Sequence, residues 1–330
     1  MANVAVIGAT TWGNTLGRLL AGKGVKVTIW ARDEARAVEL RQEHQNRSSK
    51  VGLFAPPLFI ANAGEALHSA EFVIWAVPAQ SLRQNVRGVR DYLTASMILV
   101  NAAKGLEAAS GKRMSEVIVE EVAAAFCERV CTLSGPNLSK EIDQGLPATS
   151  VIAAQDAEVT KKVQRLLDSA NFAVFVSDDI IGVELCGALK NIVALGAGML
   201  DGLGLGNNAK AAFITMGWAE VVSLGIALGA KSATFYGLAG LGDLITTCQS
   251  PLSRNHSVGY ELGKGRSLSE ITASISNIAE GVDTAMAAHH LMSRLGLELP
   301  IIDLIYRVLF ESLSPIEGLT RFRSGLNLGQ

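Results

Sequence analysis

The stretch Val4-Ala5-Val6-Ile7-Gly8-Ala9-Thr10-Thr11-Trp12-Gly13 decides the fold of the first half of the chain. Its four leading apolar residues have no polar face, which is typical of a strand buried inside a parallel sheet. The two glycines then frame a turn, and Asn14 to Ala21 has a helical pattern. A buried strand that turns directly into a helix predicts an α/β layer.

Short apolar runs and helical patterns continue to alternate up to about residue 176. The further predicted strands are Val25–Trp30, Phe72–Val77, Met97–Val100, Arg129–Ser134, Thr149–Ala153 and Phe172–Val176. We predict one helix that Asp33 caps and that ends near Glu43, and another from Ala157 to Ser169. The polar stretch from Gln45 to Pro57 is predicted to be a loop. Together these elements predict a doubly wound parallel sheet with helices on both faces.

The pattern changes at Ser177-Asp178-Asp179, after which we find no convincing strand. Long helical patterns follow over Ile180–Leu200, Ala209–Leu228, Glu280–Leu295 and Ile301–Ser312. We therefore predict two domains, an α/β domain over residues 1–178 and an all-helical domain over residues 179–330. The many Gly and Ala residues of the first long helix indicate close backbone packing.

The composition of the 330 residues fits a folded, two-domain protein. Hydrophobic residues make up 49% and charged residues 18%, which argues against disorder as the main state. The formal net charge of −2 argues against general binding to nucleic acid or to an anionic membrane. We find no signal peptide and no apolar run of about 18 residues, so we expect no membrane span and a cytoplasmic location.

The cysteines and histidines indicate neither a disulfide framework nor a metal site. The four cysteines, Cys127, Cys131, Cys186 and Cys248, are scattered, and the first two lack a second pair of ligands nearby. His289 and His290 are adjacent on a predicted helix and so face different directions. We expect reduced, structural thiols and no metal.

The turn from Gly8 to Gly13 has the position of a dinucleotide-binding turn, where the N-terminus of a helix holds a pyrophosphate. Thr10 replaces the middle glycine of the usual pattern, so a plain strand–helix turn is the alternative. Arg32 follows the second strand, where an Arg suits the 2′-phosphate of NADP and an acidic residue suits NAD. Asp33 is more simply explained as the cap of the next helix. Arg32 then favours NADPH without excluding NADH.

Polar groups also follow other predicted elements. Lys104 and the Ser134-Gly135-Pro136-Asn137 run come after buried strands, at the sheet edge where such folds bind ligands. Lys190-Asn191 interrupts a stretch of small residues, so Lys190 is either partly desolvated or a helix lysine that reaches solvent. Ser253 is predicted to cap a helix with Arg254 in its first turn, which suits a phosphate but also fits ordinary capping.

Taken together, and in their order along the chain, these motifs resemble those of the bacterial type of NAD(P)-dependent glycerol-3-phosphate dehydrogenase. The resemblance covers nearly the whole chain. The specific motifs are Lys190-Asn191, Gly240-Leu241-Gly242-Asp243-Leu244 and Ser253-Arg254-Asn255. The resemblance implies a Rossmann-type N-terminal domain, an all-helical C-terminal domain and use of NADPH or NADH. It also implies interconversion of dihydroxyacetone phosphate and sn-glycerol 3-phosphate for phospholipid synthesis, with a homodimer possible.

The resemblance also implies roles for individual residues. Lys190 matches the catalytic lysine. The substrate positions are Lys104, Gly135, Asn137, Lys190, Asn191, Asp243, Thr247, Ser253, Arg254 and Asn255. The cofactor positions are Gly8, Thr11, Trp12, Gly13, Arg32, Lys104, Ser139, Arg254, Ile278 and Glu280. In the mechanism so implied, Lys190 donates a proton to the carbonyl oxygen as hydride reaches the carbon, and Asp243 orients Lys190.

The chain departs from the family pattern at five positions. Thr10 and Thr11 stand where the family usually has Gly and then Ser. Asn137 replaces Ser or Thr, Ser139 replaces Ala, and Met216 replaces an Arg that many members have. These changes bear on cofactor affinity and leave the catalytic set intact. One alternative function is another two-domain NAD(P)-dependent hydroxy acid dehydrogenase. A nucleotide-binding regulator without catalysis is the other, which the retained catalytic set argues against.

Overall fold

The computed structural model describes residues 2–48, 56–274 and 279–326 and divides into two compact units. The N-terminal unit comprises residues 1–103 and 114–180, and the helical unit comprises residues 104–113 and 181–330. The boundary at 178 from the sequence differs from this division mainly in the loop 104–113. That loop groups with the helical unit because Leu106 belongs to its core and Arg113 Nη1 donates to Glu184 Oε2 at 2.7 Å.

Within the described residues, the N-terminal unit is an eight-stranded sheet with helices. Its strands are β1 (Asn3–Ile7), β2 (Lys26–Trp30), β3 (Leu58–Ile60), β4 (Phe72–Trp75), β5 (Ile98–Asn101), β6 (Val130–Ser134), β7 (Ala148–Ala154) and β8 (Phe172–Ser177). Its helices are α1 (Thr11–Gly22), α2 (Glu34–Ser48), α3 (Ala63–Leu67), α4 (Leu82–Val89), α5 (Met114–Glu121), α6 (Ser139–Asp143) and α7 (Ala157–Leu167). The spatial order of the strands is β3-β2-β1-β4-β5-β6-β7-β8.

The pairing of the strands confirms a doubly wound sheet and corrects one part of it. Strands β1 to β6 pair in parallel, whereas β6 and β7 pair antiparallel. The link between β6 and β7 contains only the five-residue helix α6. Parallel neighbours are usually joined by a longer helix, and α6 rises only about 7.5 Å, so this link favours antiparallel pairing.

Alternating side chains of β1 belong to two hydrophobic clusters, one on each face of the sheet. Val4 and Val6 belong to the cluster that includes residues of α1 and α7. Ala5 and Ile7 belong to the cluster that includes residues of α3, α4 and α5. The entirely apolar β1 is therefore explained by burial on both faces, as the sequence predicts.

Two predicted helix boundaries in this unit are wrong by three residues or more. Helix α1 begins at Thr11 and not at Asn14, because Thr10 caps it and brings the glycine turn into its first turn. Helix α2 runs to Ser48, beyond the predicted end near Glu43. No Gly or Pro interrupts the chain before Gly52, so nothing in the sequence ends the helix at the predicted place.

The helical unit is built from nine α-helices within the described residues. They are α8 (Ile180–Leu203), α9 (Gly206–Ala227), α10 (Ser232–Phe235), α11 (Asp243–Gln249), α12 (Arg254–Gly263), α13 (Leu268–Ser274), α14 (Glu280–Leu295), α15 (Pro300–Phe310) and α16 (Pro315–Leu326). A π-helical turn, Leu238–Gly242, precedes α11. Nearly every residue of α8 from Gly182 onward is buried, so this helix is the centre of the unit.

Helices α8 and α9 are long and apolar enough to cross a membrane by length and composition alone. In α8, 89% of the apolar window is buried inside the protein, which identifies it as a core helix. Helix α9 buries one face, including Phe213, Trp218 and Val221, in the same core.

The carboxylate of Glu121 joins α4 to α5 in the N-terminal unit. Glu121 Oε1 accepts from Arg83 Nη1 at 2.6 Å and from Arg87 Nη2 at 2.8 Å, and its side chain is only 7% exposed. These two hydrogen bonds, led by that from Arg87, lower the pKa of Glu121 to about 2. A carboxyl whose pKa falls on folding stabilises the fold above its unfolded pKa and loses that contribution as the pH falls.

We expect Glu121→Gln to lower the free energy of unfolding at pH 7, because the charge-assisted bonds are lost. The difference from wild type should narrow as the pH falls from about 4.5 toward 2, where wild-type Glu121 itself becomes protonated. Chemical denaturation at several pH values measures this. The matched control is Glu120→Gln, which changes a more exposed carboxylate that also contacts Arg83. A difference that stays constant with pH would contradict the prediction.

Candidate functional site

The glycine turn of the N-terminal unit lies at the carboxyl end of β1, where the strand order reverses between β1 and β4. Such a switch point is where doubly wound sheets bind ligands. Gly8 has φ +112°, and a Cβ there would lie 2.6 Å from Cγ1 of Val77, two residues after β4. Only glycine fits this position without strain.

The side chain of Thr10, which replaces a glycine of the usual pattern, is turned into the protein. Its hydroxyl donates to the carbonyl oxygen of Ala76 at 2.6 Å and accepts from the backbone N–H of Gly13 at 3.1 Å. Thr10 therefore caps α1 and ties the turn to the end of β4. A hydroxyl held this way does not block the N-terminus of α1, so the departure at Thr10 is compatible with a phosphate there.

The surroundings of the turn fit a dinucleotide. The first N–H groups of α1, including those of Thr11 and Trp12, have no acceptor within the helix. Among the described residues, Trp12 Nε1, Asn14 Oδ1 and Ser134 Oγ are buried without a hydrogen-bond partner. Trp12 and Asn14 belong to the first turn of α1, which begins after the glycine turn. Ser134 is the last residue of β6, at the carboxyl edge of the same sheet.

Arg32 follows β2 at the same edge, and its side chain is 90% exposed. Its Nε lies 3.4 Å from Asp33 Oδ2, a weak contact between exposed groups. Asp33 Oδ1 accepts from the backbone N–H of Arg36 at 2.8 Å, so Asp33 caps α2 as predicted. The guanidinium of Arg32 is accessible to a 2′-phosphate.

The segment after β6 holds three predicted site residues, Gly135, Asn137 and Ser139. The amide of Asn137 is engaged at both ends: Nδ2 donates to the Thr149 carbonyl oxygen at 2.8 Å, and Oδ1 accepts from Ser150 Oγ at 3.1 Å. Asn137 thus fastens this segment to β7. Ser139 begins α6, and Gly135 directly follows the last residue of β6.

In the helical unit, two lysines share one buried carboxylate. Lys104 Nζ donates to Asp243 Oδ2 at 2.8 Å, and Lys190 Nζ donates to Asp243 Oδ1. Lys190 Nζ also donates to Thr247 Oγ1 at 2.7 Å, and that hydroxyl donates to the carbonyl oxygen of Asp243 at 2.6 Å. Four residues that the sequence places far apart, within positions 104–247, therefore form one hydrogen-bonded cluster.

The environment of Lys190 lowers the pKa of its ammonium to about 8. Burial is the largest cause, the carboxylate of Asp243 opposes it, and the charge of Lys104 adds to the lowering. Lys190 is 5% exposed, so the sequence alternative of a lysine that reaches solvent is wrong. A lysine with this pKa is mostly charged at neutral pH and can release its proton readily, as a general acid must.

A second hydrogen-bonded set holds three helices of this unit together. Asn255 Nδ2 donates to Asn191 Oδ1 at 2.8 Å, and the backbone N–H of Gly281 donates to Asn255 Oδ1 at 2.9 Å. These bonds join α8, α12 and the start of α14, where Glu280 is the first residue. Ile278, also predicted to bind the cofactor, lies outside the described residues.

The start of α12 has the predicted form. Ser253 Oγ accepts from the backbone N–H of His256 at 3.2 Å, which makes Ser253 the N-cap. Arg254 is the first helical residue and is exposed, whereas Asn255 is buried. The helix dipole and the guanidinium of Arg254 both favour an anion at this end.

Close contact between α8 and α12 fixes the start of α12 relative to Lys190. A Cβ on Gly198 would lie 2.1 Å from the carbonyl oxygen of His256, and one on Gly259 would lie 1.9 Å from that of Leu195. The two backbones therefore touch. This confirms the close packing that the small residues of the long helix predict.

Sequence reasoning missed a cluster beside this contact. Asp201 Oδ2 accepts from Lys210 Nζ at 2.9 Å and lies 2.7 Å from His256 Nε2, which joins α8, α9 and α12. Asp201 lies eleven residues after Lys190, about three helical turns along the same face. That spacing is visible in the sequence, but nothing there indicates which side chains Asp201 meets.

Comparison with known proteins gives matches over nearly the whole chain. Residues 3–160 match the model of the NAD-dependent glycerol-3-phosphate dehydrogenase N-terminus, and residues 179–320 match that of its C-terminus. A glycerol-3-phosphate dehydrogenase [NAD(P)+] of Dehalococcoides mccartyi is 50% identical over 96% of this chain and 89% of its own. That of Moorella thermoacetica is 44% identical over 94% and 92%. The crystal structure of glycerol-3-phosphate dehydrogenase from Coxiella burnetii has a TM-score of 0.90 at 31% identity, covering 97% and 98% of the two chains.

We expect Gly198→Ala to destabilise the protein by about 1–3 kcal/mol, because the added methyl must push α12 away from α8. The midpoint of denaturant unfolding measures this. Gly217→Ala is the matched control: its Cβ would meet only ordinary contacts of 3.4 Å or more, and Ala favours a helix by about 1 kcal/mol. Equal effects of the two substitutions would contradict the account of the α8–α12 contact.

Proposed function

This chain belongs to the NAD-dependent glycerol-3-phosphate dehydrogenase family, and from that premise we propose that it interconverts dihydroxyacetone phosphate and sn-glycerol 3-phosphate with NADPH or NADH. The observation that carries the proposal is the buried cluster in which Asp243 binds both Lys104 and Lys190. Reduction of a ketone needs a proton donor at the oxygen, and this cluster provides a lysine whose pKa lies near the working pH.

The N-terminal unit is proposed to hold the cofactor, in line with a Rossmann-type domain over residues 1–178. Gly8, Gly13 and the first N–H groups of α1 would hold the pyrophosphate, and Arg32 would meet the 2′-phosphate of NADPH. When bound, the cofactor supplies the hydride for the carbonyl carbon. Trp12, Ser139, Ile278 and Glu280 remain proposed cofactor residues on the family's pattern.

The helical unit is proposed to supply the proton. Lys190 donates from Nζ to the carbonyl oxygen as negative charge develops there, and accepts the proton in the reverse direction. Lys104 stabilises the same oxygen electrostatically. Asp243 orients Lys190 and favours its charged form, since a carboxylate beside an ammonium raises its pKa.

The start of α12 is proposed to bind the phosphate of the substrate. Arg254 presents a planar guanidinium beside the positive end of the helix, a combination that suits phosphate oxygens. Binding the phosphate away from the reacting carbon positions the carbonyl for reaction. Asn191, Thr247, Ser253 and Asn255 are the other proposed substrate residues of this unit. Gly135 and Asn137 remain proposed substrate residues on the family's pattern.

The assembly and location are also proposals. Family membership supports a cytoplasmic enzyme of phospholipid metabolism, and we propose that it works as a homodimer. Oxidation of NADPH and of NADH with dihydroxyacetone phosphate tests the activity itself. A panel of 2-keto acids separates it from a hydroxy acid dehydrogenase: turnover of the acids and not of the phosphorylated ketone would overturn the proposal.

We expect Lys190→Ala to lower kcat by roughly 10²–10⁴ and to leave NADPH binding within about threefold of wild type, because only the proton donor is lost. Steady-state kinetics and fluorescence titration with NADPH measure the two effects. Lys264→Ala, which removes an exposed lysine of the same unit near Tyr260, is the control and should change neither. Turnover of Lys190→Ala within a few-fold of wild type would exclude Lys190 as the donor.

We expect Arg254→Lys to raise the KM for dihydroxyacetone phosphate about tenfold or more, because a lysine keeps the charge but cannot form two parallel hydrogen bonds to phosphate. Dihydroxyacetone, which has no phosphate, should be a poor substrate of the wild type and should lose much less. The measurements are made at saturating cofactor, with Arg266→Lys as the control. The same loss for both substrates would show that Arg254 does not bind the phosphate.

A further inference from the structure

A cavity of about 610 Å³ opens at the amino ends of the parallel strands of the N-terminal unit. The residues that line it from the sheet come just before or at the start of β1, β2, β4 and β5, namely Ala2, Val25, Glu71, Phe72, Ser96 and Ile98. The proposed cofactor turn follows the opposite end of β1, about 17 Å away along five residues of strand. The cavity is therefore distinct from the proposed cofactor site.

The charged residues of this cavity are mostly basic. Lys23, Arg129, Lys162 and Arg165 line it together with a single acid, Glu71, which leaves three net positive charges. The whole chain, by contrast, has a net charge of −2. A concentration of positive charge in an acidic protein creates a local field that attracts anions.

Two of these basic groups are available to a ligand. Among the described residues, neither Lys162 nor Arg165 has a carboxylate within ion-pair distance, whereas Lys161 on the same helix pairs with Glu158 at 3.2 Å. Lys23 Nζ donates to the carbonyl oxygens of Arg165 at 3.1 Å and Leu166 at 2.7 Å. It therefore caps the C-terminal end of α7 and lies at the cavity wall.

The other walls of the cavity are apolar. Val25, Phe72, Ile98 and Leu166 line it, and the last three are more than nine-tenths buried. The volume lies within the range of about 300–1,000 Å³ that is usual for small-molecule sites. A ligand that fits must combine an anionic group for the basic rim with a hydrocarbon part for the apolar wall.

A neighbouring cavity of about 240 Å³ limits where the anionic group can bind. It shares Arg129 and Lys162 with the larger cavity but also contains three acids, Glu128, Asp156 and Glu158. These acids reduce the positive field on that side. Arg165, which lines only the larger cavity, is therefore the main anion-binding group.

We propose that this cavity binds an organic phosphate that has a hydrocarbon part, with the phosphate at Arg165 and Lys162 and the hydrocarbon against Phe72, Ile98 and Leu166. A guanidinium and an ammonium suit a phosphate dianion better than a single-charged carboxylate. The site is independent of the dehydrogenase activity, so its test does not require turnover.

Calorimetric titration with n-hexyl phosphate tests the proposal. The full-length Arg254→Ala variant is used, in which the proposed substrate phosphate site is removed, and the expected result is binding of one molecule per chain. Adding Arg165→Glu should raise the Kd at least tenfold, because an attractive charge becomes repulsive. Adding Lys264→Glu, a control charge reversal at an exposed lysine of the helical unit, should change the Kd less than about threefold.

Two further arms separate the chemistry of the ligand. Inorganic phosphate should bind at least tenfold more weakly than hexyl phosphate, since it gains nothing from the apolar wall. Binding of hexyl phosphate should weaken between 50 mM and 300 mM salt, as expected for an exposed cationic rim. No binding in the Arg254→Ala background, or equal Kd values for Arg165→Glu and Lys264→Glu, would overturn the proposal. Equal binding of inorganic phosphate would exclude the hydrocarbon part.

Discussion

The proposed catalysis depends on one interaction, the sharing of the Asp243 carboxylate between Lys104 and Lys190. Burying an ammonium without a partner is costly, and burying two beside each other more so. The carboxylate makes both positions possible, and the hydroxyl of Thr247 accepts a further hydrogen bond from Lys190 Nζ. Burial and the neighbouring Lys104 still lower the pKa of Lys190 to about 8, so the same arrangement that holds the lysine also prepares it to release a proton.

Much of the helical unit serves to hold this cluster and the start of α12 in place. Asn255 links α8 to α14 through hydrogen bonds, and the backbones of α8 and α12 touch at Gly198 and Gly259. The low helix propensity of glycine is the cost of that approach. In the N-terminal unit, the hydroxyl of Thr10 likewise holds the glycine turn in place, through its hydrogen bond to the carbonyl oxygen of Ala76 after β4.

The sequence predicts the long elements well because their signals are strong: β1 is apolar throughout, and α14 is predicted with its observed bounds, Glu280–Leu295. It predicts Lys190 and Asp243 only through the family resemblance, since no local pattern pairs residues 53 positions apart. The antiparallel pairing of β7 with β6 and the cluster at Asp201 are not predicted from the sequence, because both depend on tertiary packing. Asn137 illustrates the same limit: its amide is engaged with β7 in a way that its place after β6 does not indicate.

The most direct test of the central claim is the pH dependence of kcat/KM for reduction of dihydroxyacetone phosphate, compared between the wild type and Asp243→Asn. In the wild type, kcat/KM should fall above about pH 8 as Lys190 loses its proton. Replacing the carboxylate by an amide removes the interaction that raises the pKa of Lys190, so the fall should begin at a lower pH in the variant. An alkaline limb at the same pH in both proteins would contradict the claim that Asp243 sets the charge of Lys190.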